Sequence, residues 1–189
     1  MRIRYNAPVV LSFALISTLV LMLDTFLHFG LTAQYFVLYP RFAAGSALSY
    51  LRLFTHVIGH KDWAHLIGNF SFILLIGPIL EEKYRSGSIL IMMLATALAT
   101  GLLNLLFFST ALMGASGVVF MLILLSSFTN IRSGEIPLTF ILILVLYLAR
   151  EVIGGLGADN ISQFAHIIGG ICGSLFGFLL TRSKRTSGG

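Results

Sequence analysis

Six apolar stretches run through most of the chain, at residues of about 9–29, 64–80, 88–108, 116–128, 138–153 and 163–180. A helix that crosses a hydrocarbon core of ~30 Å at ~1.5 Å per residue needs roughly 20 residues. The first and third stretches have that length, and the fourth is conspicuously short. With 57% hydrophobic and only 10% charged residues, these 189 residues lie far outside the composition of water-soluble domains. The chain reads as an all-α membrane protein with six spans.

Charge sets its orientation. Arg2, Arg4, Lys83, Arg85, Arg132, Arg182, Lys184 and Arg185 fall on one side of such a bundle. Only Arg41, Arg52, Lys61 and Arg150 fall on the other, so the positive-inside rule puts both termini in the cytoplasm. The net charge of +5 therefore needs no nucleic-acid partner, because the basic residues sit at the ends of apolar segments. Arg2 and Arg4 precede the first apolar run as in a signal peptide, but the run is long and lacks a small-x-small cleavage site, so it reads as a retained span. No linker or internal repeat divides the chain, which gives one domain over residues 1–181 and a polar tail at 182–189. The single cysteine, Cys172, has no intrachain partner. The stretch from 30 to 63 is dense in aromatics, including Tyr35, Tyr39, Tyr50 and Trp63, and reads as a loop half-sunk in the outer leaflet.

Polar groups inside a membrane are costly, so those that share a depth are candidates for chemistry. Ser116 stands 16 residues before Arg132, and His166 stands 16 before Arg182. If each arginine marks the cytoplasmic boundary, both side chains lie ~24 Å above it. Asn69 lies ~21 Å above Lys83 by the same rise, and His65 is one turn further out on the same helix face. The segment 109–115 must enter the membrane non-helically to reach Ser116, which demands shielding by protein or an aqueous cavity. Ser116 would then begin a helix, where free N–H groups and the helix dipole favour negative charge. Gly169, Gly173 and Gly177 recur every fourth residue, small enough for two helix backbones to touch.

The order and spacing of several short motifs go further. They are Arg52 through His56, then His60, the H-x-x-x-N pair His65 and Asn69, Gly114-Ala115-Ser116-Gly117, and Ala165-His166 with Gly169 and Gly173. From about residue 52 to 177 the chain resembles the rhomboid proteases of the minimal six-span bacterial type. That resemblance implies an intramembrane serine endopeptidase of the bacterial inner membrane, without cofactor, cutting transmembrane proteins near the outer face. It implies Ser116 as nucleophile and His166 as general base and then acid. It implies an oxyanion site built from backbone at Gly114 and Ala115 and from the side chains of Asn69 and His65. Phe120 would stack on His166, with Gly117, Gly169 and Gly173 supporting the dyad. The chain departs from the family at Leu51, where Trp is usual, at Phe120, where Tyr is frequent, and at Arg85, where Gly is common.

Each feature also has a plainer reading. A Gly-Ala-Ser-Gly tetrapeptide is by itself a packing site, and His65 and Asn69 can simply stabilise a helix end. His56, His60 and His65 form an H-x₃-H-x₄-H array, but no Glu or Cys accompanies them and H-E-x-x-H is absent, so no metal is expected and His56 and His60 read as hydrogen-bonders within the loop. Asp24 should reach the outer interface without a special role, Asp159 reads as loop, and Arg150 and Glu151 snorkel. Two rival functions are an inactive relative that binds transmembrane helices without cleavage, and a small transporter or proton pathway. The latter lacks repeated halves and paired intramembrane carboxylates.

Overall fold

The computed structural model describes residues 5–130 together with residues 138, 141, 142, 145, 146, 149, 168–173, 175 and 176. Within them the chain is helical: α1 (Pro8–Leu27), α2 (Leu31–Tyr35), α3 (Ala47–Thr55), α4 (Trp63–Tyr84), α5 (Ser86–Phe107) and α6 (Ser116–Asn130). Among the described residues α1, α4 and α5 are long and apolar enough to cross a membrane, whereas the apolar part of α6, Ser116–Ser127, is shorter. The first four expected spans thus appear as helices, with α4 and α5 each starting slightly earlier than their apolar runs. The fifth and sixth expected spans, with Arg150, Glu151 and Asp159, fall mostly outside the described residues.

Two local signals shape α1 and α4. Pro8 at the first turn of α1 has no N–H to waste and a φ already suited to a helix. Asp62 caps α4, its carboxylate accepting from the His65 N–H at 2.7 Å. The α1 residues Val10, Phe13, Ala14, Ser17, Val20 and Leu21 are buried at helical spacing, while Leu15, Ile16, Leu19 and Met22 face outward. Both faces are apolar, because the outward one meets lipid.

α4 is central and packs against α1, α5 and α6. Helices in a bilayer gain little from hiding apolar surface from lipid and associate instead through close packing and hydrogen bonds. Both devices occur where α1 meets α4. At Gly77 a Cβ would lie 2.8 Å from Val10 Cγ2, so glycine is what admits Val10. One turn further along α4 the buried Glu81 carboxylate accepts from the N–H groups of Val9 and Val10, both at 2.9 Å. Those donors belong to the first turn of α1 and have no acceptor within their own helix. Phe13 and Phe70 close the interface with ring centroids 5.1 Å apart.

The loop between α1 and α4 is folded rather than slack. Asp24, near the end of α1, accepts from the N–H groups of Leu31 at 2.7 Å and Thr32 at 2.6 Å, so it caps α2. This corrects the expectation that Asp24 merely reaches the interface. Arg52 donates from Nε and Nη2 to the Gln34 carbonyl and lies over the Tyr39 ring, 5.0 Å from its centroid. Thr55 Oγ1 donates to the Tyr35 carbonyl. These bonds pin α3 to α2, and Leu51, the residue in place of the family's tryptophan, is left exposed. The joined pair rests on α5 at Gly101, where a Cβ would meet Leu38 and Leu53 at 3.2–3.3 Å.

Candidate active site

Ser116 is the first residue of α6 and is half-buried, while Ala115 before it is fully buried. The first bond of the helix runs from Val119 N–H to the Ala115 carbonyl at 3.0 Å. The N–H groups from Ala115 to Val118 therefore have no acceptor within the helix, and the positive end of its dipole lies at Ser116.

The segment leading to Ser116 is held by hydrogen bonds from three directions. Leu112 pairs with Leu38 in a single antiparallel bridge, with bonds of 2.9 and 3.0 Å. Asn104, buried near the end of α5, donates from Nδ2 to the Thr110 carbonyl at 3.0 Å. The Gly114 N–H donates to the His56 carbonyl at 2.9 Å. From Leu112 to Ala115 the non-helical backbone is thus shielded by protein, the condition that a membrane-depth loop requires, while Ser109, Thr110 and Ala111 are exposed. Neither Leu38 nor Asn104 stood out in the sequence. An amide in the last turn of an apolar span was a usable signal for Asn104; Leu38 carried none.

Gly114 has φ +117, where a residue with a Cβ is strained. A Cβ there would also lie 2.7 Å from His65 Cε1, 2.8 Å from His65 Nε2 and 3.9 Å from Asn69 Nδ2. The missing side chain is what lets the imidazole of His65 approach the turn before Ser116, with the amide of Asn69 beside it at ordinary contact distance. Two of the residues singled out on α4 and the Gly114–Ser116 turn therefore come together. Asn69 is buried and His65 half-buried.

The histidines at 56, 60 and 65 do not converge on one point. His56, fully enclosed, donates from Nε2 to the Ala97 carbonyl of α5 at 3.0 Å. His60 bonds through Nδ1 to the Ile58 carbonyl at 3.0 Å and through Nε2 to Asn69 Nδ2 at 3.1 Å. Its ring stands edge-on to that of His65, 4.9 Å between centroids. Burial pushes the pKa of His56 down to about 4. Burial does the same to His60, also to about 4, with the neighbouring His65 adding to the effect. Both rings are neutral near neutral pH.

His166 lies outside the described residues, but the glycines that follow it do not. At Gly169 a Cβ would collide with the Gly117 backbone, its carbonyl carbon 2.8 Å away, and at Gly173 with the Met121 backbone, 3.0 Å away. The two segments approach with backbones touching, Gly117 opposite Gly169 and, one turn on, Met121 opposite Gly173. At Gly170 a Cβ would lie 4.0 Å from Phe120 Cδ1, so the Phe120 ring sits beside the same segment.

A family model described as the rhomboid domain matches residues 47–183, which takes in α3 to α6 and every residue discussed in this site except Leu38. The chain belongs to the rhomboid family. It is also similar to the rhomboid protease GlpG of Haemophilus influenzae, with 24% identity over 139 residues, 72% of each chain. The rhomboid match and the apolar helices together make it an integral membrane protein. In this rhomboid α1 lies outside the matched residues, and it is joined to them through Gly77 and Glu81.

Proposed function

We propose that this rhomboid is an intramembrane serine endopeptidase in which Ser116 and His166 form a dyad. The observation that carries the proposal is the contact of Gly169 with Gly117. His166 precedes Gly169 by three residues and Gly170 by four, and residues so spaced share a helix face. In this reading His166 stands on the face of the sixth span that meets α6 beside Ser116.

In the reaction Ser116 Oγ attacks the scissile carbonyl while the neutral imidazole of His166 takes its proton. The carbonyl oxygen becomes an oxyanion beside the α6 N-terminus. Its donors are the N–H groups from Ala115 onward, the Asn69 amide and His65 Nε2. The Gly114 N–H is not among them, because it is spent on His56; Gly114 serves through its conformation. His166 then gives its proton to the departing amine, and water hydrolyses the acyl-enzyme by the same steps in reverse roles. Substrates are transmembrane helices cut near the outer face. Unwinding a helix exposes backbone groups that cost several kcal/mol each in lipid, so Gly or Pro near the cut favours cleavage. The orientation with both termini inside and residence in a bacterial inner membrane belong to the same reading.

A fluorophosphonate probe tests it on the purified protein. The wild type is expected to label at Ser116 and to cleave a transmembrane substrate. Ser116→Ala is expected to lose labelling and about four orders of magnitude of turnover, with its thermal midpoint unchanged. Cleavage retained in Ser116→Ala would overturn the dyad, and an unlabelled, inactive wild type would favour a relative that binds helices without cutting them.

A further inference from the structure

The reaction scheme asks Asn69 to present a donor, and an asparagine amide has no intrinsic preference for which end it presents. Its oxygen and nitrogen are nearly the same size, so only the surrounding hydrogen bonds decide. The residue that decides here is His60. The Ile58 carbonyl can only accept, so the proton of the neutral His60 ring sits on Nδ1. Its Nε2 is then a bare lone pair, which can accept but not donate. The group facing it at 3.1 Å must be the Asn69 NH₂ and not its oxygen.

We infer that His60 is a positioning residue for Asn69, acting through this bond to turn the amide nitrogen toward the Gly114–Ser116 turn. The inference rests on the protease reading and adds to it a residue that does not touch substrate. The nitrogen carries two N–H bonds. Spending one on His60 fixes the amide plane and so the direction of the other. The same nitrogen is the Asn69 atom nearest to the vacant Cβ position of Gly114, at 3.9 Å.

His60 is itself unable to turn away. It is 2% exposed, and its ring is wedged between His65 at 4.9 Å and Phe70 at 5.6 Å between centroids. Were Nε2 to carry a proton, the amide would be drawn round to offer its oxygen, and Asn69 would present a lone pair to an oxyanion. Burial and the neighbouring His65 keep the ring neutral, with its pKa lowered to about 4. The backbone carbonyl of Ile58 thus sets the tautomer, the tautomer sets the amide, and the amide supplies the donor.

A double-mutant cycle tests the link, read as turnover per fluorophosphonate-labelled site so that misfolded protein does not count. His60→Leu is expected to lower kcat by about tenfold to a hundredfold with KM changed less than about twofold, because a displaced donor costs the transition state and not the ground state. His60→Gln, whose Oε1 can accept in place of Nε2, is expected to recover kcat to within about threefold of wild type. In an Asn69→Ala background, His60→Leu is expected to lower kcat less than about twofold further, since its target is gone. If His60→Leu does not fold, His60→Met, more adaptable in shape, takes its place in the cycle. A merely structural His60 would instead lower the thermal midpoint and the labelled fraction and leave kcat per labelled site unchanged, and its effects would multiply with those of Asn69→Ala. That pattern overturns the inference alone. A wild type that neither labels nor cleaves overturns the protease reading and this inference with it.

Discussion

The two ends of α4 both carry buried polar side chains, and they use them differently. At the C-terminal end the Glu81 carboxylate spends both oxygens on the first turn of α1. At the N-terminal end His65 and Asn69 meet a backbone turn from which the side chain is missing, with His60 behind Asn69. The C-terminal arrangement satisfies donors that lipid cannot, and its product is a helix–helix joint. The N-terminal arrangement brings two polar side chains up to the turn before Ser116. Burial and polarity alone do not separate a staple from a site; what separates them is whether the polar groups close on each other or on a space left open by a glycine.

Substitutions can break this contrast. The largest effect is expected at Gly114. Alanine there meets both a positive φ and the His65 ring, so Gly114→Ala should cost ~1–3 kcal/mol of stability and, through displacement of His65, about a hundredfold in turnover per labelled site. Near-normal turnover per site would show that the close approach of His65 is incidental.

Acid should distinguish the N-terminal end next. His56 and His60 are neutral in the fold with pKa values of about 4, whereas an unfolded histidine titrates near 6.5. Between pH of about 6.5 and 4 the unfolded chain binds more protons, so stability falls as pH falls, by up to ~3 kcal/mol per ring below pH 4. Thermal midpoints measured from pH 7 to 4.5 are expected to drop, and to drop less steeply in His60→Gln. An equal slope in that variant would place the proton uptake elsewhere.

At the C-terminal end Glu81→Ala removes two buried hydrogen bonds to the first turn of α1 and is expected to destabilise by ~2–3 kcal/mol. Turnover per labelled site should stay within about threefold of wild type, as expected of a distant site. A selective loss of turnover without a loss of stability would erase the division between staple and site. The smallest effect is expected at the adjoining turn. Arg85 joins α4 to α5 with φ 70 and ψ 151, a region populated almost only by glycine. Arg85→Gly, the residue common in the family, should raise the thermal midpoint by the equivalent of ~1 kcal/mol, strain relief being partly offset by a freer unfolded chain. An unchanged or lower midpoint would mean that the backbone there carries no strain.

By itself the sequence determined that this chain lives in a membrane and where its first four apolar spans, α1, α4, α5 and α6, run. Composition decides the first and run length the second, since a helix of fixed rise must cover the hydrocarbon core. The glycines at 169 and 173 also announced a close approach to another helix, and α6 is that helix. Other features became visible only once distant segments met. The Leu38–Leu112 bridge, the His56 carbonyl under Gly114 and the Ile58–His60–Asn69 relay all join residues through backbone groups or ring tautomers. Every residue type carries the same carbonyl and N–H, so no pattern of side chains encodes where those groups will find partners. Asp24 and Glu81 illustrate the same limit, because a carboxylate in an apolar helix advertises a partner but not which N–H groups it will be. Pattern locates groups along a helix, but which of them touch is decided only when the helices pack.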